Sequence, residues 1–256
     1  MKILKFKKIK NDKYELTLED NSKIILYEDS IINNNLLVTK KINNDDINKL
    51  KKENEVLNCY YNAINYISYK MRSKKQILNY LNKKNYDLNI INKTIIKLEN
   101  EKIINDLIFA KYYINDELKF TLNGPKKIEK KLIELGIEKD IIKQYLNDIN
   151  SDIFINKINK IISKKIKVVK GSTNQKKIKL QTYIINLGYK KEDIINCLNN
   201  YSFNLDINML KKEYNKLYVK YKNKYDKEKI NYLIVSKLLQ KGYTIDEIKS
   251  IEKTTN

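Results

Sequence analysis

The feature that most constrains this chain is a turn that recurs about every 52 residues: Lys84-Asn85-Tyr86, Leu135-Gly136-Ile137, Leu187-Gly188-Tyr189 and Lys241-Gly242-Tyr243. Each time an apolar-periodic helix runs into Gly, or Asn in the first instance. A large apolar residue, a short polar stretch and an Ile-rich helix follow. That order is the sequence form of a helix closed by a left-handed residue at C′ with an apolar contact at C″. Glycine reaches positive φ without a Cβ clash and Asn is the next most tolerant residue, so Asn85 is a permitted departure. Three of the chain's five glycines stand at this point. Four such turns in 256 residues predict tandem helical units in an elongated, curved array whose function lies on a surface.

The first 44 residues have a different period. Tyr14, Leu16 and Leu18 alternate with Glu15, Thr17 and Glu19, and Ile24 and Leu26 continue after the turn-forming Glu19-Asp20-Asn21-Ser22. With Ile3 to Ile9 this predicts two or three short antiparallel strands, then a short helix from Ile31 to Leu36 capped by Asp29-Ser30. A sheet this small needs support and is expected to pack on the first helical unit. The fold class is therefore mainly α: tandem three-helix repeats behind a small N-terminal antiparallel β module. The expected division is 1–44 for that module and 45–104, 105–150, 151–203 and 204–256 for four repeats.

Local signals place the helices within each repeat. Ser73-Lys74-Lys75-Gln76 reads as a capping box opening the second helix of repeat one. Asn123-Gly124-Pro125 breaks repeat two, and Pro125 at the first helical position starts its second helix. Lys170-Gly171-Ser172 reads as a flexible basic linker in repeat three. A long helix from Asp206 to Tyr225 opens repeat four, carrying Tyr214, Leu217, Tyr218, Tyr221 and Tyr225 as a stripe. That stripe has the spacing of a buried face, which is preferred over base stacking.

Chemistry is excluded more readily than it is assigned. There is no histidine, and Cys59 and Cys197 lack metal-ligand spacing, so a zinc site and Ser-His chemistry are not expected. Both cysteines lie on apolar-periodic stretches and read as core residues in a reducing compartment. No phosphate loop, paired-carboxylate motif or nucleophile elbow is present, so neither catalysis nor a cofactor is expected. Asp20, Asp29 and the Asn-Asp pairs read as turn and cap residues. No apolar run reaches membrane-spanning length and Met1-Lys2-Ile3-Leu4-Lys5 is interrupted by charge at once, which predicts a cytoplasmic protein without membrane contact.

The remaining signal is charge. The chain carries 52 basic against 31 acidic residues, a formal net charge of +21, and Arg72 is its only arginine. An AT-rich genome favours Lys, Asn and Ile by codon bias, yet the imbalance of sign points to a polyanionic partner. Lys126, Lys127, Lys130 and Lys131 recur at i, i+4 spacing opposite Ile128, Leu132, Ile133 and Leu135, forming one basic helix face. Lys164, Lys165, Lys167, Lys170, Lys176, Lys177 and Lys179 cluster around the linker of repeat three. Either set reads as a solvated surface or as a phosphate-tracking, acid-docking face.

The run Tyr69-Lys70-Met71-Arg72-Ser73-Lys74-Lys75-Gln76, then Ile104-Asn105-Asp106 with Phe109-Ala110 and Tyr113, then Gly124-Pro125-Lys126-Lys127-Ile128 and Leu132 to Ile137, resembles the RecX family of regulators of the RecA recombinase. The match covers about residues 57 to 150. It departs at Asn85, where Gly is expected, and in using Lys, which lacks the planar fork for bidentate contacts, where many members use Arg. The resemblance implies a monomeric protein lying in the helical groove of the RecA filament on single-stranded DNA, with duplex DNA a further partner. It implies inhibition of strand exchange, ATP hydrolysis and coprotease activity, and thus roles in recombination, DNA repair and the SOS response. By the same resemblance Arg72, Lys74, Lys75, Lys126 and Lys127 become contact candidates, alongside the reading that Arg72 and Ser73 fix a helix entry. The alternatives are a DNA-binding helical repeat protein acting without RecA and an adaptor for another acidic protein.

Overall fold

The computed structural model describes residues 1–252; the last four residues of the expected fourth repeat, 253–256, lie outside the described residues. Three antiparallel strands open the chain: β1 (Ile3–Ile9), β2 (Lys13–Leu18) and β3 (Lys23–Tyr27), in spatial order β1-β2-β3. The register pairs Phe6 with Leu16 and Leu16 with Ile24, so the alternation puts Leu16, Leu18, Ile24 and Leu26 on one buried face. That face packs with Ile31, Leu36, Ile42 and Leu50. Asp20 accepts from the Ser22 backbone N–H at 2.9 Å and its hydroxyl at 2.6 Å, closing the second hairpin as a turn residue.

The sheet is held against the first long helix as expected. Helices α1 (Glu28–Asn33), α2 (Leu36–Thr39) and α3 (Asn44–Ser68) follow it. Asn54 of α3 accepts the Tyr27 backbone N–H at 2.8 Å and donates to the Ile25 carbonyl at 3.1 Å, satisfying groups on the edge strand that would otherwise be free to pair elsewhere. The expected cap at Asp29-Ser30 is corrected. The helix begins at Glu28 with Tyr27 before it and no side-chain cap bond. Asp29 instead accepts the Tyr61 hydroxyl at 2.6 Å, while Ser30 is buried beneath the helix. The bond that claims Asp29 comes from α3, which a local reading does not see.

Twelve helices from α3 onward fall into consecutive triplets among the described residues. The first is α3, α4 (Lys74–Lys83) and α5 (Leu88–Asn100), and the second α6 (Asp106–Phe120), α7 (Pro125–Glu134) and α8 (Lys139–Asn147). The third is α9 (Ser151–Lys165), α10 (Thr173–Asn186) and α11 (Lys191–Asn199), and the fourth α12 (Ile207–Tyr221), α13 (Lys227–Gln240) and α14 (Ile245–Glu252). Separate apolar clusters serve the first, third and fourth. Cys59, Ile77, Leu81, Ile91 and Leu98 fill the first, Ile158, Ile162, Leu180, Ile184 and Ile194 the third, and Leu210, Ile234, Leu238 and Ile248 the fourth. Cys59 and Cys197 are free, buried thiols whose pKa values burial pushes up. By packing, Met1–Lys111 with Ile133–Glu138 form one compact unit, and Tyr112–Leu132 with Lys139 onward form a second.

The recurring turns take the predicted left-handed conformation, with φ of 61° at Asn85, 89° at Gly136, 92° at Gly188 and 78° at Gly242. Three of them carry a second constraint. In the first compact unit the Ser73 hydroxyl, before α4, donates to the Leu135 carbonyl at 2.7 Å. In the second unit the Gly124 N–H, before α7, donates to the Leu187 carbonyl at 2.7 Å, and the Ser172 hydroxyl, before α10, donates to the Lys241 carbonyl at 3.3 Å. Helices α4, α7 and α10 each thus seat their N-terminus on the turn that closes the next triplet's middle helix. A Cβ on Gly136 would lie 2.7 Å from that of Lys75, and one on Gly188 only 2.4 Å from the Lys127 backbone nitrogen. Asn85 closes the first middle helix, which has no earlier triplet to receive, and so a Cβ is tolerated there.

This seating corrects the reading of Lys170-Gly171-Ser172 as a flexible linker. Gly171 and Ser172 are buried, and Ser172 caps α10 by accepting the Gln175 N–H. The Tyr stripe is corrected in part. Helix α12 ends at Tyr221, so Tyr225 lies beyond it; Tyr214, Leu217 and Tyr221 pack on the fourth cluster while Tyr218 faces solvent.

Candidate functional site

Helix termini show where the cations sit. A helix N-terminus carries partial positive charge and favours acids in its first turn. Helices α3, α8, α11 and α14 obey: their first turns hold Asp45 and Asp46, Asp140, Glu192 and Asp193, and Asp246 and Glu247. Of the four middle helices, α4, α7 and α10 hold no acid there, as is also true of α2, α5 and α12, whereas α13 holds Glu228. In the first turn of α4 stand Lys74 and Lys75, and in that of α7 Lys126 and Lys127, while Lys176 and Lys177 follow in α10. Each misplaced lysine costs roughly 0.3–1 kcal/mol when exposed, so the arrangement opposes local stability and suits an anion.

At the α4 joint the scaffold is tightly bonded. Ser73 accepts the Gln76 N–H and the Gln76 side-chain oxygen accepts the Ser73 N–H at 3.1 Å, the predicted capping box. The Lys74 backbone N–H donates to Asp106 at 2.9 Å, and its ammonium pairs with Glu99 at 2.8 Å. Burial raises the Asp106 carboxyl above the usual carboxylate range despite that N–H bond. Arg72 lies with its guanidinium 4.4 Å from the Tyr66 ring centre, and Tyr66 stacks on Tyr80 at 4.1 Å and 5°. Its Nε is buried without a hydrogen-bond partner. The chain's one arginine is thus seated on an aromatic stack, a role its planar ion fills better than Lys.

At the α7 joint the cations are more open. Ile128 and Leu132 are buried beneath the helix, and Lys126, Lys127, Lys130 and Lys131 are exposed. The apolar face is narrower than expected, since Ile133 is 37% exposed and Leu135 only half-buried. Lys126 also lines a cavity of about 360 Å³ with Lys143 and Lys190, the acids Glu129 and Asp193, and the rings of Phe154 and Tyr189. The Tyr189 hydroxyl donates to the Leu122 carbonyl at 3.0 Å, and burial pushes its pKa up to about 12. Nearby, the Lys157 ammonium donates to the Glu117 and Thr121 carbonyls at 3.1 and 2.9 Å, capping the end of α6. Burial lowers the Lys157 pKa. On the Glu117 carboxyl, burial is outweighed by hydrogen bonds from Asn123, Thr121 and Tyr113, so its pKa falls.

In the third cluster several lysines are turned onto the protein. Lys165 lies 4.2 Å from the Tyr183 ring centre and Lys177 5.5 Å from that of Phe203. Lys176 donates to the Asn204 carbonyl at 2.7 Å and Lys179 to that of Lys170 at 2.8 Å. Lys164 and Lys167 remain exposed. These contacts hold the ammonium groups in place without neutralising them. Among the described residues no three His, Cys, Asp or Glu side chains cluster as metal ligands, and no helix is long and apolar enough to cross a membrane.

Fold and surface together define a tandem three-helix protein with cationic joints. Comparison with known proteins makes the class particular. Residues 59–98 match the family model described as RecX, first three-helix domain. Over 251 residues, 96% of this chain and 92% of the relative, the sequence is 28% identical to the regulatory protein RecX of Staphylococcus aureus strain JH9. The crystal structure of a regulatory protein RecX matches with a TM-score of 0.66 at 18% identity, covering 78% of this chain and all of the other. That of RecX from Lactobacillus salivarius matches with a TM-score of 0.53 at 23% identity, covering 57% and 95%. The two solved structures bear on the fold alone. The resemblance to the RecX family that the motifs at Tyr69–Gln76 and Gly124–Ile137 carry holds along almost the whole chain.

Proposed function

We propose that this protein is a non-catalytic regulator that docks on the RecA filament assembled on single-stranded DNA, in its helical groove, and lowers strand exchange, ATP hydrolysis and coprotease activity. The observation that carries this reading is the near full-length similarity to proteins named regulatory protein RecX. The lysines set against the dipole at successive joints support it, because a filament repeats its acidic and phosphate surface as the joints repeat their cations. In this reading the module 1–44 and the repeats 45–104, 105–150, 151–203 and 204–256 act together as a monomer in the cytoplasm. Contacts fall to Arg72, Lys74, Lys75, Lys126, Lys127, Lys130, Lys131, Lys164, Lys165, Lys176 and Lys177, and duplex DNA is a weaker partner through the same cations.

The test is the rate of ATP hydrolysis by the cognate RecA on single-stranded DNA as the protein is titrated at two salt concentrations. A fall in rate at substoichiometric protein, relieved by the higher salt, is expected. An unchanged rate at every concentration overturns the proposal.

A further inference from the structure

The turn between α12 and α13 presents a surface of a different kind from the joints. Residues 214–225 hold four lysines, four tyrosines and no carboxylate. The fold divides the tyrosines. Tyr214 and Tyr221 pack with Leu217 on the core, but Tyr218 is 46% exposed and Tyr225 42%, and Tyr232 on the following helix is 73% exposed. Lys216, Lys220, Lys222 and Lys224 are all exposed in the same segment, the Lys220 ammonium 5.6 Å from the Tyr221 ring centre. Tyr221, half-buried, lies 6.2 Å from Tyr225 at 57° and props it outward, and the Lys229 ammonium stands 5.0 Å from the Tyr225 ring centre. The nearest acids are Glu213, whose carboxylate pairs with the Lys241 ammonium and also feels Lys216, Asp226, which is occupied in capping α13 by accepting the Lys229 N–H at 2.8 Å, and Glu228 in its first turn.

The chemistry of this surface selects among anionic partners. Duplex DNA would engage the lysines but keep its bases stacked out of reach of the rings. An acidic peptide likewise leaves the rings unused. A lipid surface needs a continuous apolar face to bury, whereas Val219 is the one exposed aliphatic residue between 216 and 229. Single-stranded nucleic acid alone offers phosphates to the lysines and unstacked π-faces to the rings together.

We propose that the α12–α13 turn binds single-stranded nucleic acid directly, with phosphates on Lys220, Lys222 and Lys224 and bases stacked on Tyr218, Tyr225 and Tyr232. This goes beyond the filament reading: it places nucleic-acid contact on residues other than the joint lysines and requires no RecA.

The experiment is fluorescence anisotropy of the full chain, without RecA, on a labelled oligothymidylate and on a duplex of equal length. Tyr218→Ala with Tyr225→Ala is expected to weaken single-strand binding about tenfold or more and to leave duplex binding within about twofold. The Tyr→Phe pair at the same positions retains parental affinity. Lys220→Gln with Lys222→Gln and Lys224→Gln weakens both and reduces the single-strand salt slope by about 2. Single-strand affinity unchanged in the Ala pair, a loss shared by the Phe pair, or tighter binding to phosphatidylserine vesicles than to oligothymidylate overturns the assignment. Should the Ala pair fail to fold by circular dichroism, the Lys→Gln variant decides. Because RecA is absent from the assay, this proposal and the filament reading fail separately.

Discussion

Replacing Gly188 by alanine is expected to destabilise the protein by roughly 3 kcal/mol and to lower its melting temperature by on the order of 10 °C. Two effects add. A Cβ at φ of 92° costs about 1–2 kcal/mol in the left-handed region, and overpacking a well-fitted contact costs about 1–3 kcal/mol. The contact is severe because the new atom meets the Lys127 backbone nitrogen at 2.4 Å and not the tip of a flexible side chain. Gly188→Asn separates the two causes. Asn tolerates positive φ, so if backbone conformation were the only constraint it should cost well under about 1 kcal/mol, whereas the joint predicts most of the alanine penalty. Asn85→Gly is the control and should stay within about 0.5 kcal/mol, since no earlier middle helix is seated there. Urea midpoints of the three variants decide, and a benign Gly188→Asn would show that the joint is not close-packed.

Reversing Lys126 and Lys127 to glutamate is expected to raise the concentration needed to half-inhibit RecA ATP hydrolysis roughly 50-fold. Both ammonium groups are exposed, and each reversal replaces an attraction to an acidic or phosphate surface by repulsion. Stability should hold or rise slightly, because acids in the first turn of α7 agree with the helix dipole where lysines oppose it. That opposition of signs between function and stability distinguishes a docking surface from a structural one. A variant that melts like the parent and inhibits like the parent would remove the α7 joint from the interface.

What was legible in the sequence was local. The left-handed turns, the Ser73 capping box, Pro125 at the head of α7 and the alternation of the strands each depend on residues within a few positions, and all stand in the structure. What was not legible depends mostly on tertiary partners, some of them more than sixty residues away. Glycine at 136 and 188 answers to φ and also to a neighbouring helix end that leaves no room for a Cβ, whereas at 242 the nearest atom to a Cβ, the Ser172 hydroxyl, is 3.2 Å away and φ is the main constraint. Ser172 reads as linker because Gly171 precedes it, yet the Lys241 carbonyl claims its hydroxyl. Asp29 reads as a cap because the bond from Tyr61 is tertiary. The Tyr stripe fails at Tyr225 for a simpler reason: the helical period was carried one turn past the end of α12. The basic clusters were visible as composition, but not the pairing of Lys74 with Glu99 or the seating of Arg72 on Tyr66.

The central claim is that the protein recognises the filament and not merely the charge of its DNA. The most direct measurement compares its affinity for an oligonucleotide coated with RecA and a slowly hydrolysed ATP analogue with its affinity for the same bare oligonucleotide at equal salt. Several joints engaging one repeating surface predict filament binding about 100-fold tighter, by avidity. Equal or tighter binding to the bare strand would contradict the account and leave a DNA-binding helical repeat protein in its place.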